Sequence, residues 1–301
     1  MTVNSTLYDI LIIGSGPAGM TAAIYAARAG KTVALVDAEF GGNISKSPRV
    51  ENIPGFPQIS GVDFIKQLQE QIEQFPNIVQ VFNSGLYLEY YYRMFKLSLD
   101  DRTVLCGKSV IIATGTTHKE LKFDTPDIYY CATCDGPFFK KEPVIVVGSG
   151  NSGATYALDL ATYCKTVYLC DLTLGMQCEK VLQDRIKETP NIIWLPNTTI
   201  NSVKNGKTGR LSSVTLTTLE TIKCKAIFAA IGLVPNTAFL KNFVELDPKG
   251  YIIAPDCITT KVPGVFAAGD CRQSKVKQVV TATSDGAVAA LEAIKYLDTL
   301  K

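Results

Sequence analysis

The sequence predicts an α/β protein of two domains, each built on a parallel sheet with helices against it, the second inserted in the first. Three observations carry that prediction. The segment LYDILIIGSGPAGMTAAIYAARAGKTVALVD (7–37) aligns with EPVIVVGSGNSGATYALDLATYCKTVYLCD (142–171), with Gly14 on Gly148, Lys31 on Lys165 and Asp37 on Asp171, each pair 134 positions apart. In both copies a short apolar strand leads through a glycine-rich turn into an Ala-rich helix and a second apolar strand ending on an acid. Elsewhere SVIIATG (109–115), AIFAAIG (226–232) and GVFAAGD (264–270) are apolar strands that stop at glycine or Gly-Asp, as where a chain leaves a domain.

In chain order, the first copy has the spacing of a dinucleotide-binding turn. Gly14 permits the tight turn, Gly16 lets a pyrophosphate approach the backbone, and Gly19 lets the helix close on the strand. Amides at the helix start then face the phosphates, and Asp37 is placed to accept from a ribose hydroxyl. The second copy repeats the roles with Gly148, Gly150, Gly153 and Asp171, flanked by Asn151 and Ser152. A duplicated fold that no longer binds a nucleotide is its alternative reading. Asp270, ending the strand at 264–270, can reach a ribityl or ribose hydroxyl, and the helix that follows (VKQVVTATSDGAVAALEAIKYL) points its start at a flavin ring. Two Rossmann-like, three-layer ββα domains follow, the first discontinuous over 1–115 and 245–301, the second over 116–244.

Length and composition agree with a large soluble core: 301 residues, 47% hydrophobic. The N-terminus lacks a basic leader, and apolar runs last only a few residues, so a cytoplasmic protein without a membrane span is expected. Thirty basic against 28 acidic residues leave a net charge of +2, no broad field for nucleic acid. Nine cysteines are not the dense, even framework of a secreted domain. Cys106, Cys164, Cys170, Cys178, Cys224, Cys257 and Cys271 are scattered and read as buried thiols that pack as small hydrophobes.

Only Cys131 and Cys134, in YYCATCDGPFF (129–139), form a close pair. Zinc needs two more ligands, and one histidine, His118, with no second CxxC does not supply them, so no metal is expected. A pair two residues apart can instead open and close as a disulfide. If Cys134 opens a helix, the helix dipole stabilises its thiolate. Asp135 is then a proton donor or acceptor for that thiolate, or a turn residue before Gly136-Pro137. His118 reads as a surface or linker residue rather than a base. Tyr90, Tyr91 and Tyr92 read as strand packing; Tyr129 and Tyr130 adjoin the cysteine pair and invite a stacking role.

With these residues in view, the chain resembles the low-molecular-weight thioredoxin reductases along nearly its whole length. The matching motifs are GSGPAG, the GG of EFGGN, VENIPGFP, ATG, CATCDG, GSGNSG, IGLVPN, AAGD and KQVVTATSDG. The resemblance implies a homodimer with FAD on the discontinuous domain, held by Gly14, Ser15, Gly16, Pro17, Ala18, Gly19, Asp37, Gly41, Gly42, Asn52, Ala113, Thr114, Gly115, Gly269, Asp270, Lys277, Gln278 and Val279. It also implies a redox-active Cys131–Cys134 disulfide against the flavin, domains that rotate to expose the dithiol, and a thioredoxin-like or other disulfide partner. In the usual family assignment Cys134 is nearer the flavin and Cys131 attacks the partner.

One segment departs from the family. NADPH users carry a His-Arg-Arg and a further Arg after the second strand of the inserted domain, gripping the 2′-phosphate bidentately. Here Asp171, Leu172 and Thr173 stand there, with Gln177 near the last Arg position, and Thr155 replaces a frequent glutamate. An acid opposes a 2′-phosphate and suits a free ribose hydroxyl. The GNSG, LDLA and VLQD segments are similar to those of the NADH-using alkyl hydroperoxide reductase flavoprotein. Two further readings fit the same break: a reduced ferredoxin as donor, docking on Lys140, Lys141, Arg272, Lys275 and Lys277, or a second flavin or nothing in the second pocket. The expectation is an FAD-dependent thiol-disulfide oxidoreductase whose donor is not NADPH. Its rivals are a dithiol oxidase that passes electrons to oxygen and a flavin-binding redox sensor.

Overall fold

The computed structural model describes residues 3–47, 49–256 and 258–300. The chain divides into two units, Met1–Thr117 with Val234–Lys301, and His118–Leu233.

The first unit runs β1 (Val3–Ile13), α1 (Pro17–Arg28), β2 (Val33–Asp37), α2 (Gly61–Ile72), β3 (Ile78–Phe82), β4 (Gly85–Tyr91), β5 (Met94–Leu99) and β6 (Val104–Ile112). Its sheet is ordered β3-β2-β1-β6-β5-β4. The strand Val265–Ala267 lies parallel to the end of β6, pairing Val265 with Val110 and Ala267 with Ile112. β1 pairs in parallel with β2 and β6, whereas β4 and β5 form an antiparallel hairpin at the edge.

Parallel strands buried on both faces must be apolar at nearly every position, and alternation then sorts the residues. Ile10, Ile12, Val33, Leu35 and Ile111 pack with α1 and the helix Val279–Thr299. Leu11, Ile13, Ala34, Val36, Val110 and Ile112 pack on the other face against Leu88, Phe95 and Leu97. Small residues bring the two helices together: a Cβ on Gly286 would stand 2.1 Å from the Ala18 carbonyl oxygen. Residues 234–244, assigned from sequence to the inserted domain, fall in the first unit because Leu240 and Val244 are buried in its Phe95–Leu97 core.

The second unit has a five-stranded sheet, in spatial order Ile192–Leu195, Thr166–Cys170, Pro143–Val147, Ile227–Ala229, Ile128–Tyr129, all parallel. Helix Asn151–Ala161 covers one face through Ala154, Ala157 and Leu160 against Val144, Val146 and Phe228. An antiparallel sheet of Ile200–Asn205, Leu211–Leu216 and Thr221–Lys223 covers the other. Both units thus have the expected α/β architecture. Cys106, Cys164, Cys170, Cys178, Cys224 and Cys271 are buried thiols, and Cys257 lies outside the described residues. Tyr90, Tyr91 and Tyr92 lie on the edge hairpin: Tyr90 is partly exposed but packs its ring on the buried Phe95, with centroids 4.9 Å apart, while Tyr91 meets Tyr92, in the turn after β4, edge-on. Among the described residues no helix is long and apolar enough to cross a membrane.

Candidate active site

In the first unit the glycine turn is held by contacts that exclude any side chain. Gly14 has φ +106°, and a Cβ there would lie 2.2 Å from the Ala113 carbonyl oxygen, while one on Gly19 would lie 1.8 Å from that of Gly14. Gly16 caps α1 with Pro17 in its first turn, so the amides of Ala18 and Gly19 have no partner inside the helix. Gly41 donates its amide to the Ser15 carbonyl at 3.3 Å, and Gly42 backs onto Gly16. Asp37 Oδ2 accepts from the Ser15 amide (2.6 Å) and Ser15 Oγ (2.9 Å); among the described residues its Oδ1 accepts only a long bond from the Glu39 amide, 3.3 Å. That second oxygen is therefore open to a further donor.

The remaining residues implicated in this unit fall into two linked groups. Asn52 Nδ2 donates to Gln278 Oε1 at 3.0 Å, and Gln278 caps the helix Val279–Thr299 through a capping box with Thr281. Lys277 Nζ donates to the Asp270 carbonyl at 2.7 Å and lies 4.1 Å from the centre of the Tyr251 ring. Burial raises the Asp270 carboxyl above its ordinary value, against the opposing pull of Lys277. At the end of the Ala113–Gly115 segment, Thr114 Oγ1 is buried without a hydrogen-bond partner among the described residues. A side-chain-free phosphate cradle, an open carboxylate oxygen and an orphaned hydroxyl together fit a bound dinucleotide.

Sequence reasoning missed the ion pair beneath this site. Arg272 is buried and forks onto Asp285, Nε to Oδ2 at 2.7 Å and Nη2 to Oδ1 at 2.8 Å, while the Gly269 amide also donates to Oδ2. Arg272 is therefore no part of a basic docking surface, and Lys277 is half-buried and committed to backbone carbonyls. Only Lys140, Lys141 and Lys275 of that group are exposed. The signal available was the acid at Asp285 inside an otherwise apolar helix face.

The second glycine turn repeats the geometry. A Cβ on Gly148 would meet the Ala230 oxygen at 2.3 Å, one on Gly153 the Gly148 oxygen at 1.8 Å, and Gly150 faces open space. Asp171 Oδ2 accepts from the Ser149 amide and Oγ at 2.6 and 2.8 Å, but here Oδ1 is also filled, by the Thr173 amide (3.0 Å) and hydroxyl (2.9 Å). Burial works to raise the Asp171 carboxyl, yet these bonds outweigh it and hold it below the usual 3.8. Asn151 and Glu179 pair reciprocally, and Gln177 donates its amide to the Ser149 carbonyl and its side chain to Gly175. Thr155 turns its hydroxyl back to the Asn151 carbonyl, and Ser152 is exposed in the first helical turn.

A depressed carboxyl contributes stability that is full above its unfolded pKa and fades as pH falls through the folded one. The melting-temperature gap between wild type and Asp171→Asn is thus expected to be steady above about pH 4 and to shrink below it. A gap that widened on acidification would show that the network does not favour the anion.

Cys131 and Cys134 form a disulfide with Cα atoms 5.3 Å apart. Cys131, not Cys134, opens the short helix Ala132–Asp135, and its Sγ accepts the Cys134 amide at 3.2 Å. The reason is local: Cys131 is extended and Gly136-Pro137 ends the turn after Asp135. Cys131 is 8% exposed, whereas Cys134 is exposed. Burial raises the Asp135 carboxyl, which favours its protonated form near the pair. Tyr129 packs on Phe139 and Phe228, and its hydroxyl joins the buried Asp127 and Arg210. His118, entering this unit, stacks on Tyr130 with centroids 6.1 Å apart. No group of three His, Cys, Asp or Glu side chains suited to a metal occurs among the described residues.

The family described as Pyridine nucleotide-disulphide oxidoreductase matches residues 8–286. The F component of alkyl hydroperoxide reductase from Staphylococcus epidermidis is 35% identical over 299 residues, covering 96% of this chain and 59% of that protein. A protein named NADH dehydrogenase from Bacillus subtilis is 34% identical over 301 residues, covering 96% and 58%. The chain thus spans less than two thirds of the length of these curated relatives. Among solved structures, Lactococcus lactis thioredoxin reductase superposes with a TM-score of 0.92 at 31% identity, covering 97% of this chain and 99% of that one. The thioredoxin reductase of T. acidophilum gives 0.90 at 34% identity, covering 98% and 99%. The chain belongs to the pyridine nucleotide-disulphide oxidoreductase family and has a thioredoxin reductase-like fold.

Proposed function

We propose that the chain is an FAD-dependent thiol-disulfide oxidoreductase that takes electrons from a donor other than NADPH, with NADH the best fit, and delivers them to a thioredoxin-like protein disulfide. The carrying observation is Asp171. Its hydrogen bonds favour the anion at the strand end where NADPH users of the resembled family carry their basic residues, and a like charge there would disfavour a 2′-phosphate. Gly150 leaves the turn open to a pyrophosphate, and the relatives named for alkyl hydroperoxide reductase and NADH dehydrogenase support a nicotinamide reading. A ferredoxin reading loses support with the burial of Arg272.

FAD, when bound in the first unit, supplies two-electron reduction to the Cys131–Cys134 disulfide. Gly14 to Gly19 would cradle its pyrophosphate with helix amides, Asp37 Oδ1 would accept a ribose hydroxyl, and Asp270 would face the ribityl chain. The Lys277–Val279 segment would present the helix start to the ring. Opening the disulfide consumes two electrons and two protons. Asp135, next in sequence to Cys134 and with its carboxyl raised by burial, would hand on one of those protons, and the Cys134 amide would steady Cys131 on its way through a thiolate.

Anaerobic titration of the flavoprotein tests the donor. Stoichiometric NADH is expected to bleach the flavin absorbance while equal NADPH does not. Bleaching by NADPH at least as readily, or by reduced ferredoxin alone, would overturn the NADH reading.

A further inference from the structure

Helix Asn151–Ala161 and the turn after it carry two tyrosines, seven positions apart, that reach the redox segment from below. Tyr156 Oη donates to the Tyr130 carbonyl at 2.7 Å, immediately before Cys131. Tyr163 Oη donates to the Ala132 carbonyl at 3.4 Å, immediately after it. The two hydroxyls therefore bracket one cysteine of the pair. Both phenols are held as donors: burial pushes Tyr156 up to about 12, and burial together with the nearby Asp159 carboxylate raises Tyr163.

Gly136 of CATCDG shows how closely the second tyrosine is fitted. Its backbone is ordinary right-handed helix, so conformation does not demand glycine. A Cβ there, however, would stand 2.2 Å from Tyr163 Oη and 2.7 Å from Leu160 Cδ2. The glycine makes room for the phenol.

We propose that Tyr156 and Tyr163 are positioning residues that clamp the backbone on both sides of Cys131 and thereby favour the closed disulfide over the dithiol. The proposal rests on the reading of Cys131–Cys134 as a redox couple. Pinning the two carbonyls keeps Cys131 where its sulfur meets Cys134, which raises the effective concentration of one thiol at the other. In the dithiol the sulfurs must separate, and the segment between Tyr130 and Asp135 has to shift against these two bonds. Reduction adds two electrons and two protons to the S–S bond, giving two thiols; the clamp takes part in no covalent step and acts only on the balance between the two forms.

The test is the midpoint of the Cys131–Cys134 couple in reduced/oxidised glutathione buffers, read by thiol alkylation and mass, on the FAD-loaded protein. Tyr163→Phe and Tyr156→Phe are compared with wild type and with Tyr92→Phe, whose ring is exposed on the other unit. Loss of the 2.7 Å bond in Tyr156→Phe is expected to shift the disulfide–dithiol equilibrium about three- to ten-fold towards dithiol, loss of the longer 3.4 Å bond in Tyr163→Phe to shift it less in the same direction, with Tyr92→Phe unmoved. Thermal melts identify variants that fold, and Gly136→Ala, whose methyl pushes the Tyr163 hydroxyl aside without removing it, is expected to shift the balance in the same direction. A wild-type pair that titrates while both variants titrate at the same midpoint overturns the clamp alone. A pair that stays closed in every buffer in wild type and in both variants overturns the clamp together with the reading beneath it.

Discussion

Replacing Arg272 with methionine is expected to destabilise the protein by about 3–5 kcal/mol, the cost of leaving one member of a buried ion pair without its partner. Asp285 would keep only the Gly269 amide, since both its oxygens now receive the guanidinium. Urea unfolding followed by circular dichroism measures the loss. Arg272→Met with Asp285→Leu in one chain is expected to be less harmful than either single change, because it removes the stranded charge. Flavin retention reports the local consequence: Gly269 and Asp270 are set by that fork, so the single variant is expected to lose cofactor on dilution. Equal stability of Arg272→Met and wild type would show that water or rearrangement reaches Asp285.

What the sequence revealed and what it hid divide along physical lines. The two glycine turns were legible because each glycine answers a steric demand that repeats at fixed spacing, and the structure shows those demands as Cβ clashes with carbonyl oxygens at Gly14, Gly19, Gly148 and Gly153. Short continuous apolar runs ending at glycine likewise exposed the parallel strands. The Arg272–Asp285 pair stayed hidden because its members come from a loop and a helix whose proximity depends on tertiary packing. Arg272 then looked like one more surface cation. The end of the inserted segment slipped for a related reason: Leu240 and Val244 read as apolar in either domain, and only packing on Phe95 and Leu97 decides. Asp171 shows a subtler limit. Its position as an acid was visible, but not that Thr173 fills the second oxygen that Asp37 leaves open.

The two redox cysteines are expected to be equally necessary and chemically unequal. Cys131→Ser and Cys134→Ser each remove a sulfur without which no internal disulfide exists to receive the flavin's electrons, so reduction of a disulfide substrate falls to background in both while the donor still bleaches the flavin. Their single remaining thiols differ. Cys131→Ser keeps the exposed Cys134, whereas Cys134→Ser keeps a cysteine that is 8% exposed. The amide at 3.2 Å points at Cys131 Sγ, making it the better leaving thiolate. A stabilised thiolate is the nucleophile of exchange, so Cys131 is expected to form the mixed disulfide and Cys134 to resolve it, expelling the partner's thiolate. This is the division that the family resemblance implies. Under it Cys134→Ser is expected to trap a thioredoxin-like partner and Cys131→Ser is not. A mixed disulfide recovered only from Cys131→Ser would overturn that division and make Cys134 the attacking sulfur.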